Sequence, residues 1–433
     1  MTDATGSQGP APQRSRVLRF AFAMIEGGGI GRFLSVLGPT AVALGVQFLA
    51  FAVTARGLGV APFGEYAAIL GLASIGVELV GLGGADLMVR AVSRDASRFS
   101  AFFGNMLLLI ALTLVPVVLF SLYIAVFQVQ SNLPPLLILM ALTAEITIGR
   151  VSSSVELAMV AHSQPFRASC VRMATASVRL LLAIGYFWLA SSLAGWIEAV
   201  LIQSLLLSLA YIVLVRQLYG KPVMVLQTGE LKSGVAFCVN QTARSMQGNI
   251  DRVILLRFAD PAVLGAYAAG ARMLLIGLFP LQVVTRILYP QFFRHGENGI
   301  AATRRFALKS LPAMLATGIF ASAAVAGVGY FVPALLGKDF ADASKSSMLL
   351  GLSLPLIALQ YLAADTLTGA GLQHIRAVIY AIAAAAFGLL LSLGARLGGV
   401  EGLIVAYLVS HALLAITLWI VAFAVPTKTR TMA

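Results

Sequence analysis

From Phe33 onward this chain is a succession of apolar stretches, each about twenty residues long or more, with no soluble domain between them. A helix rises 1.5 Å per residue, so roughly 20 apolar residues cross a hydrocarbon core of about 30 Å. The stretches fall at residues 33–55, 66–89, 99–126, 134–160, 173–190, 196–215, 233–256, 262–289, 306–333, 346–370, 377–395 and 401–424. They predict an all-α polytopic membrane protein with about twelve transmembrane helices. Composition agrees: 59% of the residues are hydrophobic and 11% charged. A soluble domain carries roughly 25% charged residues, so water is not the solvent of this chain.

The residues before Phe33 are different. The first dozen are polar and contain Pro and Gly, a composition that reads as disordered. Arg14, Arg16 and Arg19 then precede the apolar run Phe20–Ile25. That run is too short to span and has no small-residue cleavage site, so a short helix on the cytoplasmic face is expected rather than a signal peptide. Cys170 and Cys238 form no CxxC pair and read as small apolar side chains. No metal or cofactor is expected.

With the N-terminus inside, nineteen lysines and arginines fall in cytoplasmic segments. The opposite side holds five: Arg56, Arg257, Lys338, Lys345 and Arg396. The positive-inside rule therefore places both termini in the cytoplasm of a multi-pass inner-membrane protein. The net charge of +13 is spread over short loops and not clustered on a domain, which argues against a nucleic-acid partner.

The chain carries an internal repeat. Arg56-GLGVAPF-Gly64-Glu-Tyr66-Ala-Ala follows the first stretch, and Arg257-FADPAVL-Gly265-Ala-Tyr267-Ala-Ala follows the seventh. Both read R-x7-G-x-Y-A-A. One repeat contains six spans, an even number, so the two halves share orientation as parallel repeats. The expected organisation is a cytoplasmic segment 1–32, an N-lobe 33–220, a C-lobe 221–425 and a cytoplasmic tail 426–433. Two matched six-helix lobes around a central cavity is the geometry of alternating access.

Absent motifs narrow the chemistry. There is no G-x4-G-K-[ST], so this chain does not hydrolyse ATP through a P-loop. None of the four histidines has an Asp five residues on, against a membrane acyltransferase, and no D-x-D stands for a metal-dependent glycosyltransferase. The longest outside loop, around Lys338, is too small for the catalytic loop of a polysaccharide polymerase. A carrier is expected, not an enzyme.

Charges within the spans each need a reason, because one at mid-bilayer costs roughly 2.5–3.5 kcal/mol or more. Arg150, Arg179, Arg244, Arg252, Arg272 and Arg286 lie inside spans, with Arg286 near an end where it can snorkel. Counting depth puts Arg244 and Arg272 near the midplane. Asn240, Arg244, Gln247 and Asp251 follow i, i+4, i+7, i+11 and should share one helical face. Glu145, Gly149, Ser152 and Glu156 repeat that spacing on the fourth span, and Glu78 and Asp86 lie on the second. One account is structural pairing, for instance Arg150 with Glu145, or Arg244 as the counter-ion of Asp251. The other is a water-filled cavity cationic enough for an anionic head group. Arg244, Arg272, Arg150, Arg179, Asn240 and Gln247 would then bind it, while Glu78, Asp251 or Glu145 would couple transport to an ion.

The segment from Arg56 through Tyr66 and GLGGADLMVRAVSRD resembles the N-terminal signature of the polysaccharide flippases, the O-antigen and exopolysaccharide (Wzx-type) group. These belong to the multidrug/oligosaccharidyl-lipid/polysaccharide exporter superfamily. Asn249-IDRVIL with LGAYAAGARM, Leu336-GKDFADAS and Gly398-GVEGLIVAYLVS resemble later parts of the same family. The resemblance implies two six-helix lobes and the flipping of an undecaprenyl-diphosphate-linked oligosaccharide from the cytoplasmic to the periplasmic leaflet. It implies a lipid-linked oligosaccharide and membrane lipids as partners, with a polysaccharide polymerase and glycosyltransferases as further candidates. A cation-coupled multidrug or small-solute antiporter of the same fold is the alternative; acids and aromatics are expected in its cavity.

Overall fold

The computed structural model describes residues 29–129 and 131–426, with side chains from Val42 onward. The expected surface helix at Phe20–Ile25 and the tail beyond Pro426 lie outside the described residues. The described residues are almost entirely helical and contain no strand. In chain order the helices are α1 (Gly29–Leu58), α2 (Val60–Leu79), α3 (Gly84–Val92), α4 (Phe99–Tyr123), α5 (Pro135–Ala161), α6 (Pro165–Leu189) and α7 (Leu193–Tyr219). The second half follows with α8 (Leu231–Phe258), α9 (Pro261–Gly296), α10 (Ile300–Tyr330), α11 (Val332–Leu336), α12 (Ala341–Gly351), α13 (Ser353–Gly369) and α14 (Gln373–Ala424). Prolines open α5, α6 and α9, where the missing N–H has no intrahelical partner to lose.

Nine helical segments among the described residues are long and apolar enough to cross a membrane. One of them, α14, is two spans joined at a non-helical Gly398–Gly399, as the separate stretches 377–395 and 401–424 require. The described apolar part of α1, Val42–Leu58, adds another. The twelfth is α8, which is long enough but too polar to qualify on hydropathy. A helix of that composition is stable in a bilayer only when protein or water covers it.

Two expected spans are broken. The second does not run from 66 to 89: α2 ends at Leu79, and Gly81, Leu82 and Gly83 all have positive φ before α3 begins. Three successive left-handed residues turn the chain sharply, a conformation L side chains adopt rarely. The tenth is split into α12 and α13 at Leu352, because Pro355 has no N–H to continue the ladder from Gly351.

The two halves repeat one packing scheme. In the first, α1 packs on α6, α2 on α5 and α5 on α7; in the second, α8 packs on α14, α9 on α12 and α13, and α13 on α14. The lobes meet where α2 packs against α8 and α9. Fully buried aromatics fill each half, among them Phe103 and Trp196 in the first and Tyr267 and Phe292 in the second.

Candidate functional site

A cavity of about 280 Å³ lies between the lobes. The first lobe supplies Gln47, Phe51 and Thr54 from α1, Tyr66 and Ser74 from α2, Glu145 from α5, Arg179 from α6 and Trp196 from α7. The second supplies Asn249 and Arg252 from α8 and Arg272 from α9. The two walls differ in charge. On the first, Arg179 donates Nη1 to Glu145 Oε1 at 2.8 Å and Nη2 to Oε2 at 3.3 Å, and the Tyr66 hydroxyl donates to Oε1 at 2.6 Å. That carboxylate is fully engaged and neutralises its arginine. On the second, Arg252 and Arg272 form no ion pair and no side-chain hydrogen bond among the described residues, and the buried Nε of Arg252 has no partner. The Arg272 guanidinium sits 5.8 Å from the centroid of the Phe51 ring. Three arginines and one glutamate leave the cavity with two net positive charges.

The cavity thus brings together three of the expected residues, Arg179, Glu145 and Arg272. Arg252 is the one that sequence reasoning counted inside a span but did not place in the site. Its signal was available: Ser245, Asn249 and Arg252 follow i, i+4, i+7, and this stripe of α8 faces the first lobe, where Ser245 Oγ donates to the Ser74 carbonyl at 2.9 Å.

The remaining expected residues lie elsewhere. Arg244 is exposed on α8, two turns or about 12 Å before Arg252. It stands in a separate tier of α8, one turn from Gln247. Gln247 is half-buried and donates to the Tyr380 carbonyl at 3.5 Å, and Asn240 is exposed. Asp251 does not share their setting. It is 3% exposed and accepts from the Tyr267 hydroxyl at 2.7 Å, with Oδ1 left without a partner. The expected counter-ion pair of Arg244 and Asp251 is therefore absent among the described contacts: one face of α8 is open in its middle and sealed by α9 further along.

Arg150 is not a cavity residue and does not pair with Glu145. The two are five residues apart, about 140° around the helix, so they point to different sides of α5. Arg150 is 4% exposed and lies under the α2–α3 break, where a Cβ on Gly81 would be 3.2 Å from its Nε. The acids that act on it are Glu78 and Asp86, one on each side of that break.

One end of the cleft is closed by the internal repeat itself. A Cβ on Gly64 would overlap the Pro261 carbonyl, and one on Gly265 would overlap the Val60 carbonyl, so α2 and α9 touch backbone to backbone. The two repeat arginines cross between lobes in the same manner. Arg257 donates to the Gln128 carbonyl at 2.9 Å, at the end of the first lobe's third span. Arg56 reaches the Leu335 carbonyl at 3.5 Å, just after the second lobe's third span. The repeat tyrosines each donate to an acid, Tyr66 to the half-buried Glu145 and Tyr267 to the buried Asp251.

A family model described as "Polysaccharide biosynthesis protein" matches residues 33–295. Among curated proteins none matches significantly. Similar solved structures include an inward-facing multidrug resistance MATE family transporter of the MOP superfamily, at 12% identity and a TM-score of 0.67, covering 89% of this chain and 97% of the other. Another is the lipid II flippase MurJ in an inward closed conformation, at 14% identity and a TM-score of 0.67, covering 92% and 89%. A third is a MOP superfamily transporter from Pyrococcus furiosus, described as having a binding pocket of reverse polarity, at 14% identity and a TM-score of 0.63, covering 90% and 94%. At these identities the likeness is one of fold.

Proposed function

This chain belongs to the polysaccharide biosynthesis protein family, and from that membership and the charge of its cavity we propose that it flips an undecaprenyl-diphosphate-linked oligosaccharide across the bacterial inner membrane. The observation that carries the reading is the pair Arg252 and Arg272, two cations that face one cavity and form no ion pair among the described residues. Leaving two like charges unpaired side by side within the membrane is costly unless an anion completes the site. A diphosphate supplies about two negative charges and accepts bidentate hydrogen bonds from guanidinium groups. At about 280 Å³ the cavity is of a size that takes a head group.

The lobes are taken as residues 33–220 and 221–425. Orientation follows from the basic loops, which put the Gly64–Gly265 closure on the periplasmic side and both termini in the cytoplasm. Cargo arriving from the cytoplasm meets Arg244 first and then the deeper Arg252 and Arg272. Opening the Gly64–Gly265 contact while closing the other end would release it outward, and the saccharide never crosses hydrocarbon bare. Asp251 is the best ion-coupling acid, since one of its buried carboxylate oxygens has no partner among the described residues; Glu78, at the inner end of α2, is the second. Glu145 is already held by Arg179 and Tyr66, which argues for a positioning role. The same pairing weighs against a cation antiporter, because Glu145 is the cavity's one acid.

The test is binding of a short-chain polyprenyl-diphosphate disaccharide to the purified chain by calorimetry. Arg252→Ala and Arg272→Ala should each weaken binding by about tenfold or more, one charge-assisted bond being worth roughly 1.5–3 kcal/mol. Lysine at either place should recover part of it, and the monophosphate analogue should bind less tightly than the diphosphate. Equal binding by wild type and both alanine variants would remove the site.

A further inference from the structure

The interlobe linker, residues 220–230, is not a free tether. The Val223 N–H donates to the Ser100 carbonyl at 2.9 Å, and the Gln227 N–H donates to Asn105 Oδ1 at 2.8 Å. Asn105 is 1% exposed, so this buried amide is devoted to holding the linker on α4. A Cβ at Gly104 would overlap the Val223 carbonyl, which fixes how closely the strap lies. Its far end is held by an ion pair between Glu230 and Arg90 of α3.

Two features on and beside this strap are left largely uncovered among the described residues. Val223, Met224, Val225 and Leu226 are 51%, 55%, 48% and 38% exposed, four apolar side chains in succession at the end of the bundle. Next to them Arg90, Arg94 and Arg98 converge on a hollow of about 310 Å³, bounded also by Phe102 and Glu230. The Arg98 guanidinium lies 4.7 Å over the Phe102 ring, and among the described residues neither Arg94 nor Arg98 has an ion pair. The charged side chains that line it are three guanidiniums and one carboxylate, with the Asp95 carboxylate held by Ser97 beside Arg98. The positive-inside rule accounts for basic loops, but neither for their convergence on one hollow nor for the apolar run beside it. A free phosphate would answer the arginines and leave the apolar run unexplained. An amphipathic anion answers both.

We propose that this hollow is a regulatory site for an anionic phospholipid of the cytoplasmic leaflet. Its phosphate sits among Arg90, Arg94 and Arg98, and its apolar part lies against Val223–Leu226. The phosphate competes with Glu230 for Arg90, so an occupied site loosens the strap that ties the second lobe's first helix to the first lobe. The site is separate from the central cavity and rests on the reading above only for the choice of leaflet.

The test uses the full chain in phosphatidylcholine nanodiscs titrated with phosphatidylglycerol, with bound lipid counted by native mass spectrometry. Phosphatidylglycerol should be retained in preference to phosphatidylcholine. Arg94→Gln with Arg98→Gln should lower its affinity by about tenfold. Glu230→Gln should raise it, because the competitor for Arg90 is gone; a merely structural ion pair would not give that gain. Val223→Ser with Val225→Ser should weaken the lipid while leaving inhibition by inorganic pyrophosphate unchanged. Diphosphate-disaccharide binding at Arg252 and Arg272 should be the same in all these variants. Equal retention of the two phospholipids, no loss in the double arginine variant, or a loss on Glu230→Gln would each overturn the proposal. Full displacement by pyrophosphate with no effect of the serine variants would make it a free-anion site and overturn the lipid.

Discussion

Gly64→Ala and Gly265→Ala test the closure of the cleft most simply, because each adds one methyl group where two helix backbones touch. The added carbon at Gly64 overlaps the Pro261 carbonyl and lies 2.7 Å from the Gly265 nitrogen. At Gly265 it overlaps the Val60 carbonyl and lies 3.1 Å from the Val60 side chain. Backbone cannot rotate away as a side chain can, so α2 and α9 must part by roughly 1 Å, at an overpacking cost of about 1–3 kcal/mol. That cost falls on the closed state alone and shifts the balance toward the open one by roughly 5–150-fold. Accessibility reads it directly. With Cys170 and Cys238 replaced, Thr54→Cys puts a thiol at a cavity position that is 6% exposed. An impermeant maleimide added to the periplasmic side should label it slowly in the parent and at least about fivefold faster in either glycine variant. An unchanged rate in a folded variant would refute the closure, and acceleration by one glycine but not the other would refute its pseudo-symmetry.

Other consequences are as direct. Glu145→Gln strands Arg179 and should cost roughly 3–5 kcal/mol of stability, seen as a lower melting temperature in detergent, while Glu145→Gln with Arg179→Gln recovers most of it; equal melting of single and double variants would refute the pair. Asp251→Asn should abolish transport driven by an imposed ion gradient while the protein stays in the membrane, and normal gradient-driven transport would make Asp251 purely structural. Cysteines at Asp260 and Asp342 should react with an impermeant thiol reagent from outside and one at Ser97 should not; the opposite pattern would invert the orientation.

The topology was legible because hydropathy and the R-x7-G-x-Y-A-A repeat act over many residues, and no packing detail changes them. What the repeat is for was not. Nothing in the spacing says that Gly64 and Gly265 meet each other, or that Arg56 and Arg257 cross to the opposite lobe. The break after Leu79 was hidden in an apolar run, because its cause is the backbone of Gly81–Gly83 and not polarity. Depth along a helix identified the intramembrane arginines but not the direction each one faces. Arg150 and Arg179 both lie inside spans, yet one lies beneath the α2–α3 break and the other lines the cavity. The stripe from Asn240 to Asp251 was a real pattern, but the lobes cover it unevenly. The neighbouring stripe ending at Arg252 is the one that reaches the cavity.

In the proposed cycle Arg252 and Arg272 of the second lobe carry a diphosphate across the membrane. Purified chain in sealed proteoliposomes, loaded with a fluorescent undecaprenyl-diphosphate oligosaccharide and quenched from outside, measures that movement. Wild type should transfer the lipid between leaflets, and Arg252→Ala with Arg272→Ala should abolish transfer while Arg94→Gln with Arg98→Gln retains it. Transfer by the Arg252/Arg272 variant at the wild-type rate, or wild-type vesicles that move an organic cation and not the diphosphate lipid, would rule out that role for the two arginines.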